Sequence, residues 1–187
     1  MSNFIIDPTR FVIPLTETCQ TPDVQRSTGF GTAKPYIGIQ IRAGHSAIGE
    51  DVRKVAFFLK RGATATGDVI AQYWTYASWN GESPGTPTAQ STTTYDIATD
   101  IGTSYAKFEF TFASAYTVSA NDLFTLSRVG GEVSGDEVET YGDTNDCEPD
   151  CSTQYYTLYR ISTSAWSPYT GVSPGTGSNV KFCYFAE

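Results

Sequence analysis

Two stretches of the chain alternate apolar and polar side chains with a period of two. Val55, Phe57 and Leu59 interleave with Lys54, Phe58 and Lys60, and Phe108, Phe110 and Phe112 interleave with Lys107, Glu109 and Thr111. Alternation of this kind sends one set of side chains into a core and the other toward solvent, as an antiparallel sheet with one wet face requires. The pattern predicts core strands over 36–42, 53–60, 68–76, 105–112, 123–129, 154–162 and 180–186. Turn chemistry separates them: Arg61-Gly62, Asn80-Gly81, Ser83-Pro84-Gly85, Asn121-Asp122 and Ser173-Pro174-Gly175. Nowhere do apolar positions recur at three and four over a helical length, and no fixed-period repeat marks a solenoid. The expected class is all-β: an antiparallel two-sheet sandwich, with a jelly roll preferred and an immunoglobulin-like sandwich second.

The N-terminal stretch departs from this grammar. Phe4, Ile5, Ile6, Phe11, Val12 and Ile13 are strong strand formers, but Pro8 and Pro14 cannot donate to a ladder. Residues 1–30 therefore read as an extended arm and polar link, and 31–187 as one sandwich domain. The arm either folds back along its own sandwich or is donated to a neighbour by strand addition, which makes its apolar residues the candidate assembly contacts.

Composition agrees with an all-β domain and narrows the partners. A chain of 187 residues, 40% hydrophobic and 14% aromatic, is long enough to bury about 70% of the surface its unfolded form exposes. Only 17% of residues are charged, so hydroxyl and amide groups dominate the surface, as in many extracellular β-proteins. A net charge of −8 argues against a nucleic-acid partner and against anionic membranes. The basic residues Arg53, Lys54, Lys60 and Arg61 bracket one strand and read as solubilising strand ends. No apolar run approaches the roughly 20 residues of a membrane-spanning helix, and the apolar stretch at 11–15 is too short for a signal-peptide core.

Four cysteines, Cys19, Cys147, Cys151 and Cys183, allow three pairings. Cys19 lies near the first strand and Cys183 in the last, while Cys147 and Cys151 share one acidic loop. We expect Cys19 with Cys183 and Cys147 with Cys151. A four-thiolate zinc site is the alternative, but only one closely spaced pair is present where structural zinc usually draws on two. Disulfides imply a destination outside a reducing cytosol.

The segments Val55-Ala-Phe-Phe-Leu-Lys-Arg, Gly67-Asp-Val-Ile-Ala-Gln-Tyr, Gly85-Thr-Pro, Thr103-Ser-Tyr-Ala-Lys-Phe-Glu-Phe-Thr-Phe and Tyr116-Thr-Val-Ser-Ala-Asn-Asp carry a resemblance. Their succession resembles a jelly-roll module that recurs in tail and surface proteins of phages and archaeal viruses and in extracellular proteins. That module is distantly similar to carbohydrate-binding sandwiches. The resemblance spans residues 27–187, rests on strand grammar and carries over no catalytic residue. It implies a structural subunit of a virion or extracellular appendage, located on the virion or cell surface, whose partners are copies of itself or other surface proteins. The acidic cysteine-containing loop departs from the module.

Candidate chemistry is sparse. His45 sits between Gly44 and Ser46 in an expected loop and reads as solvated; no nucleophile-elbow motif marks a serine partner, and no carboxylate pair is distinguished. We expect no enzyme. Asp143, Asn145, Asp146, Glu148 and Asp150 offer closely spaced oxygens of the kind calcium takes, without the glycine and terminal glutamate of an EF-hand; a solvated loop stapled by a disulfide is the plainer account. Among the aromatics, Trp79, Trp166 and Tyr169 stand beside turn residues and are the candidates for stacking on host sugar rings. Trp74 and Tyr76, on one face of an expected strand, are explained as well by core or inter-subunit burial. A glycan-binding adhesion module, with calcium as its one candidate cofactor, is the second functional expectation.

Overall fold

In the computed structural model the described residues are 15–19, 26–30, 36–79, 85–130, 137–143, 155–160, 166–168, 179–180 and 182–187. Their elements are β1 (Thr16–Cys19), β2 (Arg26–Phe30), β3 (Tyr36–Ile41), β4 (Asp51–Arg61), β5 (Asp68–Trp74), α1 (Tyr76–Trp79), β6 (Ala89–Asp96), β7 (Ala106–Thr117), β8 (Leu123–Val129), β9 (Val138–Asp143), β10 (Tyr155–Arg160), β11 (Ser167–Pro168), β12 (Asn179–Val180) and β13 (Phe182–Ala186). All the pairings among these strands are antiparallel. The chain is therefore an all-β protein, as the alternation predicts.

Pairing runs in the order β1-β13-β4-β7-β6-β5-β8-β3-β10-β11, with β9 attached to β4, β2 and β12. The link from β7 to β6 is the single bridge Ser91–Phe112, so the sheet curls there into two halves. One half is β1-β13-β4-β7; the other begins β6-β5-β8-β3. The core fills the space between them. Ile37, Ile39 and Ile41 of β3, Phe124 and Leu126 of β8 and Val69, Ala71 and Tyr73 of β5 face Val55, Phe57 and Leu59 of β4, Phe110 and Phe112 of β7 and Phe182 of β13 in one buried cluster. Phe124 stacks on Phe182 across the two halves with centroids 5.5 Å apart. Each such side chain contributes about 1.5–3 kcal/mol on burial.

Several expected boundaries move. β5 stops at Trp74, and Tyr76 opens α1, so Trp74 and Tyr76 do not share a strand face. β7 runs on to Thr117, and the last expected strand divides into β12, paired with β9, and β13, paired with β4. β6 and β9 are strands that the pattern does not predict. Strand pairing also begins earlier than residue 31: β1 pairs with β13 and β2 with β9. The arm residues Phe4, Ile5, Ile6, Phe11, Val12 and Ile13 lie outside the described residues.

The disulfide between Cys19 and Cys183 forms as expected. The two are directly opposite partners in the β1–β13 ladder, with Cα atoms 4.1 Å apart and 164 residues between them in sequence. Cys147 and Cys151 lie outside the described residues.

Candidate functional site

Strand alternation places an aromatic group on the outer face of the β5-β8-β3 half. Since Val69, Ala71 and Tyr73 point into the core, Ile70, Gln72 and Trp74 point out. On β3, Ile37, Ile39 and Ile41 take the core and leave Tyr36, Gly38 and Gln40 outside. Trp74 is nevertheless only 1% exposed. Its indole Nε1 donates to Thr125 Oγ1 at 3.0 Å. Gly38 leaves the room this arrangement uses, since a Cβ at that position would stand 2.4 Å from Thr125 Cγ2.

Trp166 completes the group. Its ring meets Trp74 edge-on at 5.2 Å between centroids and Tyr36 at 5.9 Å. Trp79 and Trp166 both pack against the buried pair Trp74 and Leu123, forming a cluster separate from the main core. The structure thus brings together two of the proposed sugar-stacking residues, Trp79 and Trp166, around Trp74, but it holds both half-buried. Tyr169 lies outside the described residues. The ring that faces solvent here is Tyr76, 42% exposed and set edge-on to Trp79 at 5.6 Å. Thr75, Ser78 and Thr88 surround α1 with hydroxyls linked to one another: Thr88 Oγ1 lies 3.2 Å from Thr75 Oγ1 and 3.3 Å from Ser78 Oγ.

Beneath α1 is a polar hub that sequence reasoning misses. Asp122 is 2% exposed. Its carboxylate accepts from Tyr73 Oη at 2.5 Å, Tyr76 N at 2.8 Å and Ser119 N at 2.8 Å. Asn121, with φ of 71°, occupies the left-handed region that asparagine tolerates better than most residues. Its carbonyl accepts from Trp79 Nε1 at 2.9 Å, and its side-chain oxygen from Gln40 Nε2 at 3.2 Å. Asn-Asp announces the turn in the sequence; nothing there announces that α1 will sit on it.

His45 is not the solvated loop residue expected. It is 3% exposed, and burial lowers its pKa from 6.5 to about 4. Its Nδ1 accepts from Ala47 N at 2.8 Å, and the ring leans on Tyr184 at 6.1 Å. The neutral ring is thereby a packed part of the β3–β4 connection. Local sequence conceals this because Gly44 and Ser46 look like ordinary loop residues.

Of the candidate calcium ligands, Asp143 closes β9 opposite Asn179, while Asn145, Asp146, Glu148 and Asp150 lie outside the described residues. Among the described residues Glu17, Cys19 and Cys183 draw their ligand-type atoms together. Both sulfurs are spent in the disulfide, so this group offers an ion one carboxylate.

On the outer face of the other half, Lys54 and Lys107 lie over the Phe185 ring, each 4.9 Å from its centroid, and both reach Glu109, at 2.9 and 3.2 Å. Lys107 also pairs with Glu17 of β1. Hydrogen bonding to Lys54 is the main cause that holds the Glu109 carboxyl below its ordinary value.

Comparison with known proteins returns no matching family model, no matching curated protein and no matching solved structure.

Proposed function

We propose that the chain is a non-enzymatic structural subunit of a virion or extracellular appendage that assembles with copies of itself. The observation that carries this reading is β1, among the described residues an edge strand all four residues of which are exposed, fastened to the last strand by a disulfide. An edge of this kind is a template for strand addition. The strand order supports a jelly roll, since the halves β1-β13-β4-β7 and β6-β5-β8-β3 place most successive strands on opposite sides of the core. The disulfide suits an oxidising destination, consistent with a virion or extracellular surface. Light scattering of the purified protein tests the reading. The expected result is an oligomer that dissociates when residues 1–19, the arm together with β1, are deleted while the fold persists. A 20.3 kDa monomer in every condition would sink it.

Glycan adhesion is the second reading, and Tyr76 is the observation that favours it, as an exposed ring on a hydroxyl-lined corner. Because Trp79 and Trp166 support Trp74, their removal would also disturb packing. Tyr76→Ala is the cleaner probe: array binding should vanish with thermal stability intact, and an array blank for the unmodified protein, with and without calcium, removes this reading.

A further inference from the structure

We propose that β1 is an exchangeable strand whose place on β13 is sealed by Cys19–Cys183, and that the partner it exchanges with is β1 of a second copy of this chain. The inference rests on the assembly reading above and names its contact.

Among the described residues β1 is fastened by the disulfide and by its short four-residue ladder to β13. All four of its side chains are exposed, and among the described residues its one strand partner is β13. The apolar anchor is the neighbouring Leu15, packed against Ala56, Cys183 and Phe185. Glu17 adds an exposed ion pair to Lys107, of the kind that contributes little in water. The surface beneath is the opposite in character: Ala56 and Cys183 are 0% exposed and Phe185 6%. With β1 gone, β13 would present an unpaired edge beside an apolar floor, which is unfavourable in water and complementary to one known sequence, β1 itself. The register is already set, because Cys19 lies opposite Cys183. A β1 arriving from another copy recreates every contact that the chain's own β1 makes, which is the condition for low-cost strand exchange.

The seal is chemically reversible. Cys19 is exposed while Cys183 is buried, so an external thiolate meets the Cys19 sulfur first. With a dithiol as reductant, the thiolate attacks Cys19 Sγ, the S–S bond breaks, and Cys183 leaves as a thiolate that takes up a proton. The second thiol then attacks the mixed disulfide and releases Cys19. Two electrons and two protons pass to the protein, and the dithiol becomes a disulfide.

Mixing full-length protein grown on light and heavy nitrogen tests this. One sample stays oxidised; the other is reduced with dithiothreitol, mixed and reoxidised. Both are digested without reduction, and the Cys19–Cys183 linked peptide is weighed. Mixed-isotope peptide should appear at its statistical share in the second sample and be absent from the first. Same-isotope peptide alone after reoxidation overturns the exchange, as does loss of the whole fold on reduction, read by near-ultraviolet circular dichroism. Light scattering of never-reduced protein reads the assembly proposal separately, so either can fail without the other.

Discussion

Tyr73 donates its phenol hydrogen to Asp122 Oδ2 at 2.5 Å, and this bond ties the end of β5 to the turn that opens β8. Burial first, and then the adjacent carboxylate, push the phenol far above its ordinary pKa. The carboxylate tolerates burial because Tyr76 N and Ser119 N also donate to it. Removing the acceptor deprives one buried and two part-buried donors of their partner, whereas removing the phenol leaves the other two bonds in place. Asp122→Ala is expected to lower unfolding free energy by about 2–4 kcal/mol and Tyr73→Phe by about 1 kcal/mol. Urea unfolding of both variants measures the difference; equal losses would show that the carboxylate serves Tyr73 alone.

Acid should destabilise the fold through His45. Its folded pKa, about 4, lies below the unfolded value of 6.5, so between these limits the unfolded chain binds more protons. Stability therefore falls as pH drops through that window and levels off below it, by up to about 3 kcal/mol. Protonation also forces Nδ1 to give up the hydrogen bond from Ala47 N. His45→Asn keeps an acceptor in place without the titration. The variant should show a shallower stability profile between pH 6.5 and 4, and parallel profiles would remove His45 as the cause.

Gly38 is required by the neighbouring strand. A Cβ there would lie 2.4 Å from Thr125 Cγ2 and 2.9 Å from the Phe124 carbonyl oxygen. Gly38→Ala is expected to cost about 1–3 kcal/mol, in the range of overpacking. Thr125→Ser removes the nearer obstacle while keeping the hydroxyl that receives the Trp74 indole. The double variant should therefore recover part of the loss. Full additivity of the two substitutions in thermal unfolding would contradict this account of the clash.

The strands legible in the sequence are those whose buried positions carry large apolar groups. Phe57 and Phe110 announce β4 and β7 because lysine, glutamate or threonine flanks the alternation. β6 has a perfect alternation of half-buried and exposed residues, yet Ser91 and Thr93 face inward while Thr92 and Thr94 face outward. Hydroxyls on both sides erase the hydropathy contrast while leaving the geometry untouched. β9 hides similarly behind Thr140, which is 0% exposed. The aromatic group was half legible. Trp79 and Trp166 could be singled out by their turns, but their meeting over Trp74 depends on the β5–β8–β3 pairing, which joins residues far apart in sequence. The Cys19–Cys183 pair was readable because one cysteine stands near the first strand and the other in the last, and these two strands pair.

That disulfide closes a loop of 164 residues. In the chain-entropy account, a bond across so long a loop restricts the unfolded chain strongly, and stabilisation of about 2–5 kcal/mol is expected. The benefit acts on the unfolded ensemble, while the strand it fastens buries little. Reduction should therefore lower the midpoint of thermal unfolding yet leave a single cooperative transition, because the large cluster around Phe57, Phe110 and Phe124 does not include the bridge. Cys19→Ser with Cys183→Ser should reproduce the reduced protein. Scanning calorimetry of the oxidised, reduced and doubly substituted forms checks this: unchanged midpoints would mean the bridge is thermodynamically silent, and no transition after reduction would mean that the core needs it to fold.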